Sequence, residues 1–358
     1  MNISAENICA KTPFLGMTHS DLVDLCQQAG VKPVHADHLV ATVFRYYQSD
    51  IDAISTIPNI LKTYLAAHAS MFEPECTAAQ LAADGTRKLV LKMADGKAVE
   101  TVLIKGANRL TQCISTQVGC AVGCTFCLTA TAGLSRNLTA AEMVSEVWAG
   151  QKISGGQVSN IVLMGMGEPL HNYHAVAQFL EIITDAKGMA FSPNRVTLST
   201  SGMVPAMYRM LEDKWPCNLA VSLNATTDAV RDQIIPINRK YPIATLMQAV
   251  RDYIQQRGNK RVLIEYVMLA GVNDSLDDAK RLCVLLDDLH CTINLLPFNA
   301  YPGAAFDRPN DAAVSEFQAV LVEAGLIAII RQSKGRDISA ACGQLITSIK
   351  KRNDSGRL

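Results

Sequence analysis

The sequence predicts an α/β fold, a partial (β/α)6-type barrel with a small N-terminal helical domain and a β-hairpin extension. Two observations carry that prediction. From about residue 110 to 345, short apolar runs alternate with stretches of helical periodicity, the pattern of parallel strands joined by covering helices. The chemically notable residues fall just after those runs, at the strand ends where a parallel barrel gathers its chemistry. With 358 residues, 49% hydrophobic and 18% charged, the chain has material for one large core and small appendages. The expected division is a helical accessory domain over 1–75, a β-hairpin linker and extension over 76–109, the barrel over 110–345, and a basic tail over 346–358.

In the N-terminal unit, Thr18 or Ser20 caps a helix carrying Leu22, Leu25 and Cys26, and Gly30 closes it. Leu39, Val43, Phe44 and Tyr47 give 38–47 helical spacing, and Pro58 starts a third helix with Leu61, Tyr64 and Leu65. His35 and His38 read as solvent-facing or capping residues rather than ligands. Exposed aromatics of such a unit serve either a docking surface or packing on the main domain. Segments 86–93 and 98–104 flank Ala-Asp-Gly-Lys, a hairpin turn signal. Alternation between Val99 and Thr101 directs Glu100 to solvent. Segments 159–164, 195–198, 219–223, 263–269, 293–297 and 326–331 then read as strands. Segments 140–148, 175–184, 203–212, 243–256, 275–288 and 312–324 read as the helices between them.

Lys plus Arg equals Asp plus Glu at 33 each, so no diffuse basic field attracts polyanions. Local basic groups remain: Arg87, Lys88, Lys92, Lys97, Lys105 and Arg109; Arg331, Lys334 and Arg336; and Lys350, Lys351 and Arg352. No apolar stretch nears the roughly 20 residues of a membrane span. The opening MNISAENICAKTPF lacks the flank and core of a secretory signal. A cytoplasmic protein without membrane association is expected. Eleven cysteines in that compartment suggest metal or catalytic thiols over a disulfide scaffold.

Four of the eleven lie within the fifteen residues 113–127, CISTQVGCAVGCTFC. Cys120, Cys124 and Cys127 have the spacing C-x3-C-x2-C. Thiolates select iron–sulfur clusters or zinc over hard cations. A structural zinc takes four protein ligands, whereas three cysteines fill three corners of a [4Fe-4S] cube and leave one iron open. Zinc with a distant fourth ligand is the alternative. An open, reducing iron suits S-adenosylmethionine, which chelates it and is cleaved by one electron to a 5′-deoxyadenosyl radical. Gly165 and Gly167, after the second strand, admit a ligand near the backbone, and Glu168 accepts from its ammonium. Ser199, Ser222 and Asn299 offer groups for its ribose and carboxylate. Glycine-rich loops alone are weak signals; beside an open cluster motif they are stronger. Cys342, alone in AACGQL, reads first as a buried small hydrophobe.

These residues resemble the radical S-adenosylmethionine superfamily, and the longer text resembles one family within it, the dual-specificity rRNA/tRNA adenine-C2 methyltransferases, RlmN. The resemblance rests on CISTQVGCAVGCTFC, TAGLSRNLTAAE, GMGEPLHN, VTLSTSG, IIPINRKYPI, EYVMLAGVND, INLLPFNAYPGA and GRDISAACGQL, in order from about residue 84 to 345. It implies a radical SAM barrel, one [4Fe-4S] cluster on Cys120, Cys124 and Cys127, and two S-adenosylmethionines consumed per methylation. It implies cofactor contacts at Gly167, Glu168, Ser199, Ser222, Leu223, Asn224 and Asn299. By the same resemblance Cys342 accepts the first methyl group, and a radical from the second cofactor molecule removes a hydrogen from it. The S-methylene radical adds to adenine C2, a carbon too electron-poor to attack a sulfonium methyl directly. Glu100 is implied to take the C2 proton, and Cys113 to attack Cys342, leaving a disulfide as the base departs. The implied partners are 23S rRNA before or during ribosome assembly, tRNA at the adenine 3′ of the anticodon, and a low-potential donor such as flavodoxin or ferredoxin. A monomer is expected. A paired adenine must be extruded to react, with the N-terminal unit and the 84–109 hairpin as the expected grips.

Two departures stand out. Asn224 occupies a position where much of the family has histidine, and an amide does not titrate near neutrality. Residues 34–38, VHADH, lack the basic side chains associated with this part of the docking domain, which favours rRNA over tRNA. The nearest alternative is the related enzyme that methylates C8 of the same rRNA adenine and confers antibiotic resistance. A radical enzyme using Cys342 on a small molecule is a broader one. An iron–sulfur or zinc RNA-binding protein would use Cys120, Cys124 and Cys127 without needing Cys113, Glu100 and Cys342.

Overall fold

Residues 11–345 are described by a computed structural model. Helix α1 (His19–Gln28) starts at a capping box: Asp21 N donates to Thr18 Oγ1, and Thr18 N donates back to Asp21 Oδ2 at 2.8 Å. Helix α2 (Val34–Val40) runs directly into a π turn at Ala41–Arg45, and α3 (Asn59–His68) follows Pro58. Leu22, Leu39 and Leu61 form the unit's centre, and Phe14 stacks on Phe44 with ring centroids 6.0 Å apart. Apart from Tyr46, which is exposed, the aromatics of this unit are wholly or partly buried. Tyr47 meets the edge of the barrel's Trp148. The aromatics therefore serve mainly packing.

Ten strands form one sheet. They are β1 (Glu75–Leu81), β2 (Arg87–Lys92), β3 (Ala98–Lys105), β4 (Leu110–Ile114), β7 (Val158–Leu163), β8 (Val196–Thr200), β9 (Asn218–Ser222), β10 (Val262–Met268), β11 (Cys291–Pro297) and β12 (Ala328–Ile330). The spatial order is β12-β11-β10-β9-β8-β7-β4-β3-β2-β1. The strands from β4 to β12 run parallel, and β3, β2 and β1 add antiparallel to β4. A small pair, β5 (Gln117–Gly119) with β6 (Leu134–Asn137), brackets the cysteine loop and the short α4 (Leu128–Thr131). Helices α5 (Ala140–Ser154), α6 (Tyr173–Thr184), α7 (Val204–Glu212), α8 (Asp228–Ile234), α9 (Ile243–Gln256), α10 (Leu276–Leu286) and α11 (Asp311–Glu323) fill the connections. No helix of the described residues is long and apolar enough to cross a membrane.

Two expectations change. Strand β1 adds a third strand to the extension, and every residue in it is exposed, so ECTAAQL carries no apolar alternation to signal it. Glu100 does not face solvent: it is 3% exposed, because the first six residues of β3 are buried on both faces. Alternation reports orientation only where one face meets water. The tail 346–358, with Lys350, Lys351 and Arg352, lies outside the described residues.

Candidate active site

The site forms where β4 passes into the cysteine segment. Gly165 N donates to Ile114 O at 3.0 Å, and Thr116 N and Gln117 N donate to Met166 O, so the loop after β7 is stitched to 114–117. A Cβ on Gly165 would sit 2.6 Å from Ile114 O, and one on Gly167 2.6 Å from Gln117 Cβ. Gly167 also holds φ +107°. The protein's own backbone thus demands both glycines, before any ligand does.

One cavity is lined by Cys120, Cys124 and Cys127 together with Gly167, Glu168, Ser199, Ser222, Asn224, Asn299 and Cys342. Cys113, Glu100 and Leu223 are not among its lining residues. Burial raises the Cys120 thiol to about 11 and pushes Cys124 well above its ordinary value, with neighbouring thiols adding to the rise. Among the described residues no three His, Cys, Asp or Glu side chains close on a single-ion centre. The three thiols line the cavity, with Cys120 and Cys127 in electrostatic range of Cys124.

Glu168 lines the same cavity, within electrostatic range of Cys120 and Cys124. Its Oε2 accepts from Ser201 N at 2.8 Å and Ser201 Oγ at 2.7 Å, and Oε1 accepts from Leu170 N at 3.1 Å. The Thr200 hydroxyl also bonds this carboxylate, so its roughly four acceptor sites are engaged by protein donors, and a ligand ammonium would share or displace one of them. Burial nevertheless lifts its pKa against those hydrogen bonds. Ser199 Oγ lies 3.5 Å from Ser222 Oγ. The Asn299 side-chain oxygen is buried without a hydrogen-bond partner among the described residues, an acceptor left over in the cavity wall. Asn224 has φ +56°, where asparagine is tolerated, and its side-chain oxygen takes Val267 N at 2.7 Å. That oxygen ties β9 to β10. Leu223 is fully buried; its backbone, not its side chain, is engaged here.

Sequence reasoning missed Arg231. It is fully buried on α8, and its guanidinium donates to Ser201 O (2.7 Å), Ser222 O (3.1 Å), Leu223 O (2.9 Å) and Asn238 Oδ1 (2.9 Å). One side chain so fixes the loops after β8 and β9. No local pattern distinguishes such an arginine from a surface one.

Cys342 does not behave as a buried hydrophobe. Its side chain opens on the cavity, while protein surrounds it otherwise; burial still raises its thiol, with Arg331 pulling the other way. Leu128 N donates to Gly343 O at 2.7 Å, fastening the Cys342 loop to the cysteine segment. Cys113, buried on β4, lies within electrostatic range of Cys342 and Arg331; burial first, then Cys342 and Glu146, hold its thiol far above the usual range. All ten described cysteines are free, so no disulfide joins Cys113 to Cys342 in this state. The basic groups are also redistributed: Arg331 lines the cavity, and Lys88 is buried against Glu100.

The donor set fits an iron–sulfur cluster with a chelating amino-acid cofactor: three thiols, a carboxylate and an unsatisfied amide oxygen line one cavity.

Comparison with known proteins gives four findings. The pattern of the Radical SAM superfamily matches residues 114–283. The dual-specificity RNA methyltransferase RlmN of Psychrobacter arcticus is 40% identical over 367 aligned positions, covering 96% of this chain and 90% of that protein. The RlmN of Rhodospirillum rubrum is 44% identical over 345 positions, covering 94% and 80%. The crystal structure of a radical SAM methyltransferase from Sphaerobacter thermophilus superposes with a TM-score of 0.88 at 40% identity, covering 93% of this chain and 99% of that one.

Proposed function

The chain belongs to the RlmN family of the radical SAM superfamily, and on that premise we propose that it forms 2-methyladenosine in 23S rRNA and in tRNA 3′ of the anticodon. Family membership brings an iron–sulfur cluster and S-adenosylmethionine. The finer reading is one [4Fe-4S] cluster held by Cys120, Cys124 and Cys127, and two S-adenosylmethionines per methylation. The observation that supports it best is that Cys342 opens on the cavity that the three cysteines line. When bound, the cluster and cofactor supply the methyl group, the removal of a hydrogen atom and the one-electron transfers.

The chain's residues do the rest. Glu168 and Asn299 hold the cofactor's amino-acid end, and Ser199 and Ser222 its ribose. Cys342 carries the methyl carbon and bonds through it to adenine C2. Glu100 takes the C2 proton. Cys113 then attacks Cys342 Sγ: the sulfur–sulfur bond forms, the sulfur–carbon bond breaks, and the carbon takes a proton. A thiolate is the attacking species, so Cys113, its pKa raised by burial, must be deprotonated as the step begins. The disulfide is a product to be reduced, consistent with free thiols in the resting chain.

Partners on this reading are 23S rRNA before or during ribosome assembly, tRNA, and a low-potential electron donor; the chain acts as a cytoplasmic monomer. The 1–75 unit and the 76–109 extension grip RNA beside the 110–345 barrel. The test is Cys113→Ala under anaerobic turnover. It should stall as a covalent protein–RNA adduct through Cys342; clean release of methylated RNA removes the resolving role from Cys113.

A further inference from the structure

Lys88 was expected on a basic surface, yet it is buried against the loop that carries Cys342. Across β2 and β3 it pairs with Val102, and Val102 pairs across β4 with Cys113, so the three project from one face of the sheet. Glu100, two residues from Val102, shares that face. Lys88 Nζ lies 3.3 Å from Glu100 Oε1, with the side chains 9% and 4% exposed. The same ammonium donates to Ser339 O at 3.2 Å. Ser339 is three residues before Cys342 and sits at φ +51°. The outer end of this loop is also pinned: Gly335 N donates to Asp84 Oδ2 and Ala83 N to Asp337 Oδ2, each at 3.0 Å.

Resting on the proposed function, we propose that Lys88 is a positioning residue for the base: it keeps Glu100 ionised and fixed beneath the loop that carries Cys342. In a site closed to water an isolated carboxylate protonates and ceases to be a base; an adjacent cation reverses that preference. Apolar side chains of similar volume would often be as stable as a buried ion pair, so stability alone gives no reason for charge here. In the proton step the C2–H bond breaks, the proton goes to the Glu100 carboxylate, and the bonding pair stays in the base.

Lys88 faces Glu100 from β2. Cys113 shares the sheet face, with Cys342 and Arg331 in electrostatic range of it. Glu146 reaches Ser115 N from α5. Asp84 and Asp337 stand at the loop's outer end.

The test uses the full-length, cluster-loaded enzyme in single turnover, following Cys342 methylation, covalent adduct and 2-methyladenosine by mass analysis across pH. Lys88→Gln retains a donor for Ser339 O without charge; Lys88→Met is the second variant if the first does not fold; Lys88→Arg keeps the charge. Lys88→Gln should methylate Cys342 and form the adduct, then resolve it at least about tenfold more slowly at neutral pH, because burial without the adjacent cation favours the protonated carboxyl. Resolution should recover as pH rises, and Lys88→Arg should keep the native profile. A native pH profile in the neutral variants overturns the proposal. So does a block before the adduct in folded protein, which would limit Lys88 to holding the loop. If native enzyme makes no 2-methyladenosine, the functional reading itself fails; native product with an unchanged Lys88→Gln profile sinks only the role of Lys88.

Discussion

Replacing Arg231 with Met removes a clamp without removing any group that touches cofactor or substrate. Four acceptors lose their partner: the carbonyls of Ser201, Ser222 and Leu223, and Asn238 Oδ1. A buried acceptor left alone costs about 1–3 kcal/mol. Taking the lower end of that range for all four, since water entering the gap will satisfy some, gives about 4 kcal/mol. That is a large share of the roughly 5–15 kcal/mol that holds a typical protein together. Urea unfolding at pH 7 reads the loss as a lower midpoint at unchanged slope. The thermal midpoint should fall by about 5 °C. Calorimetric binding of S-adenosylmethionine should weaken by about tenfold or more, a loss of at least roughly 1.4 kcal/mol, because the loops bearing Ser201 and Ser222 are no longer fixed. Arg231→Lys keeps the charge but gathers its donors on one atom, and should lie between native and Met. A native midpoint together with native cofactor affinity in Arg231→Met refutes the clamp.

Glu146 is fully buried, with one carboxyl oxygen unpartnered among the described residues, and burial raises its pKa well above the ordinary carboxylate value. The folded state then binds more protons than the unfolded one above about pH 4.3, so stability falls as pH climbs from there toward the folded pKa. Glu146→Gln should flatten that slope in urea unfolding between acid and neutral pH; an unchanged slope assigns the proton elsewhere. Gly167→Ala places a Cβ 2.6 Å from Gln117 Cβ at φ +107°, and should cost about 2 kcal/mol or more by the same assay. A neutral Gly167→Ala would show that the loop after β7 yields easily.

The barrel was legible because each parallel strand is a short apolar run followed by a helix, and six of the seven parallel strands lie on runs that the sequence marks, with β4 placed just ahead of the cysteine segment. The cysteine spacing and the glycine loop were legible for the same reason: their chemistry is local. What was not legible is long-range. Glu100 looked exposed because alternation cannot see that both faces of β3 are covered. Lys88 looked like one of several surface cations, yet its partners, Glu100 and Ser339, stand 12 and 251 residues away. Gly165 and Gly167 were read for a ligand's approach, whereas Ile114 and Gln117 already require them. The common cause is that burial of a polar group is decided by what packs over it, which no window of sequence contains.

The central claim is that Cys342 delivers carbon to adenine C2. Anaerobically reconstituted protein, a chemical reductant, S-adenosylmethionine and protein-free 23S rRNA, followed by mass analysis of the digested RNA, test it most directly. The expected product is 2-methyladenosine, lost on Cys342→Ala. An 8-methyladenosine product, or undiminished 2-methyladenosine in the Cys342 variant, contradicts it.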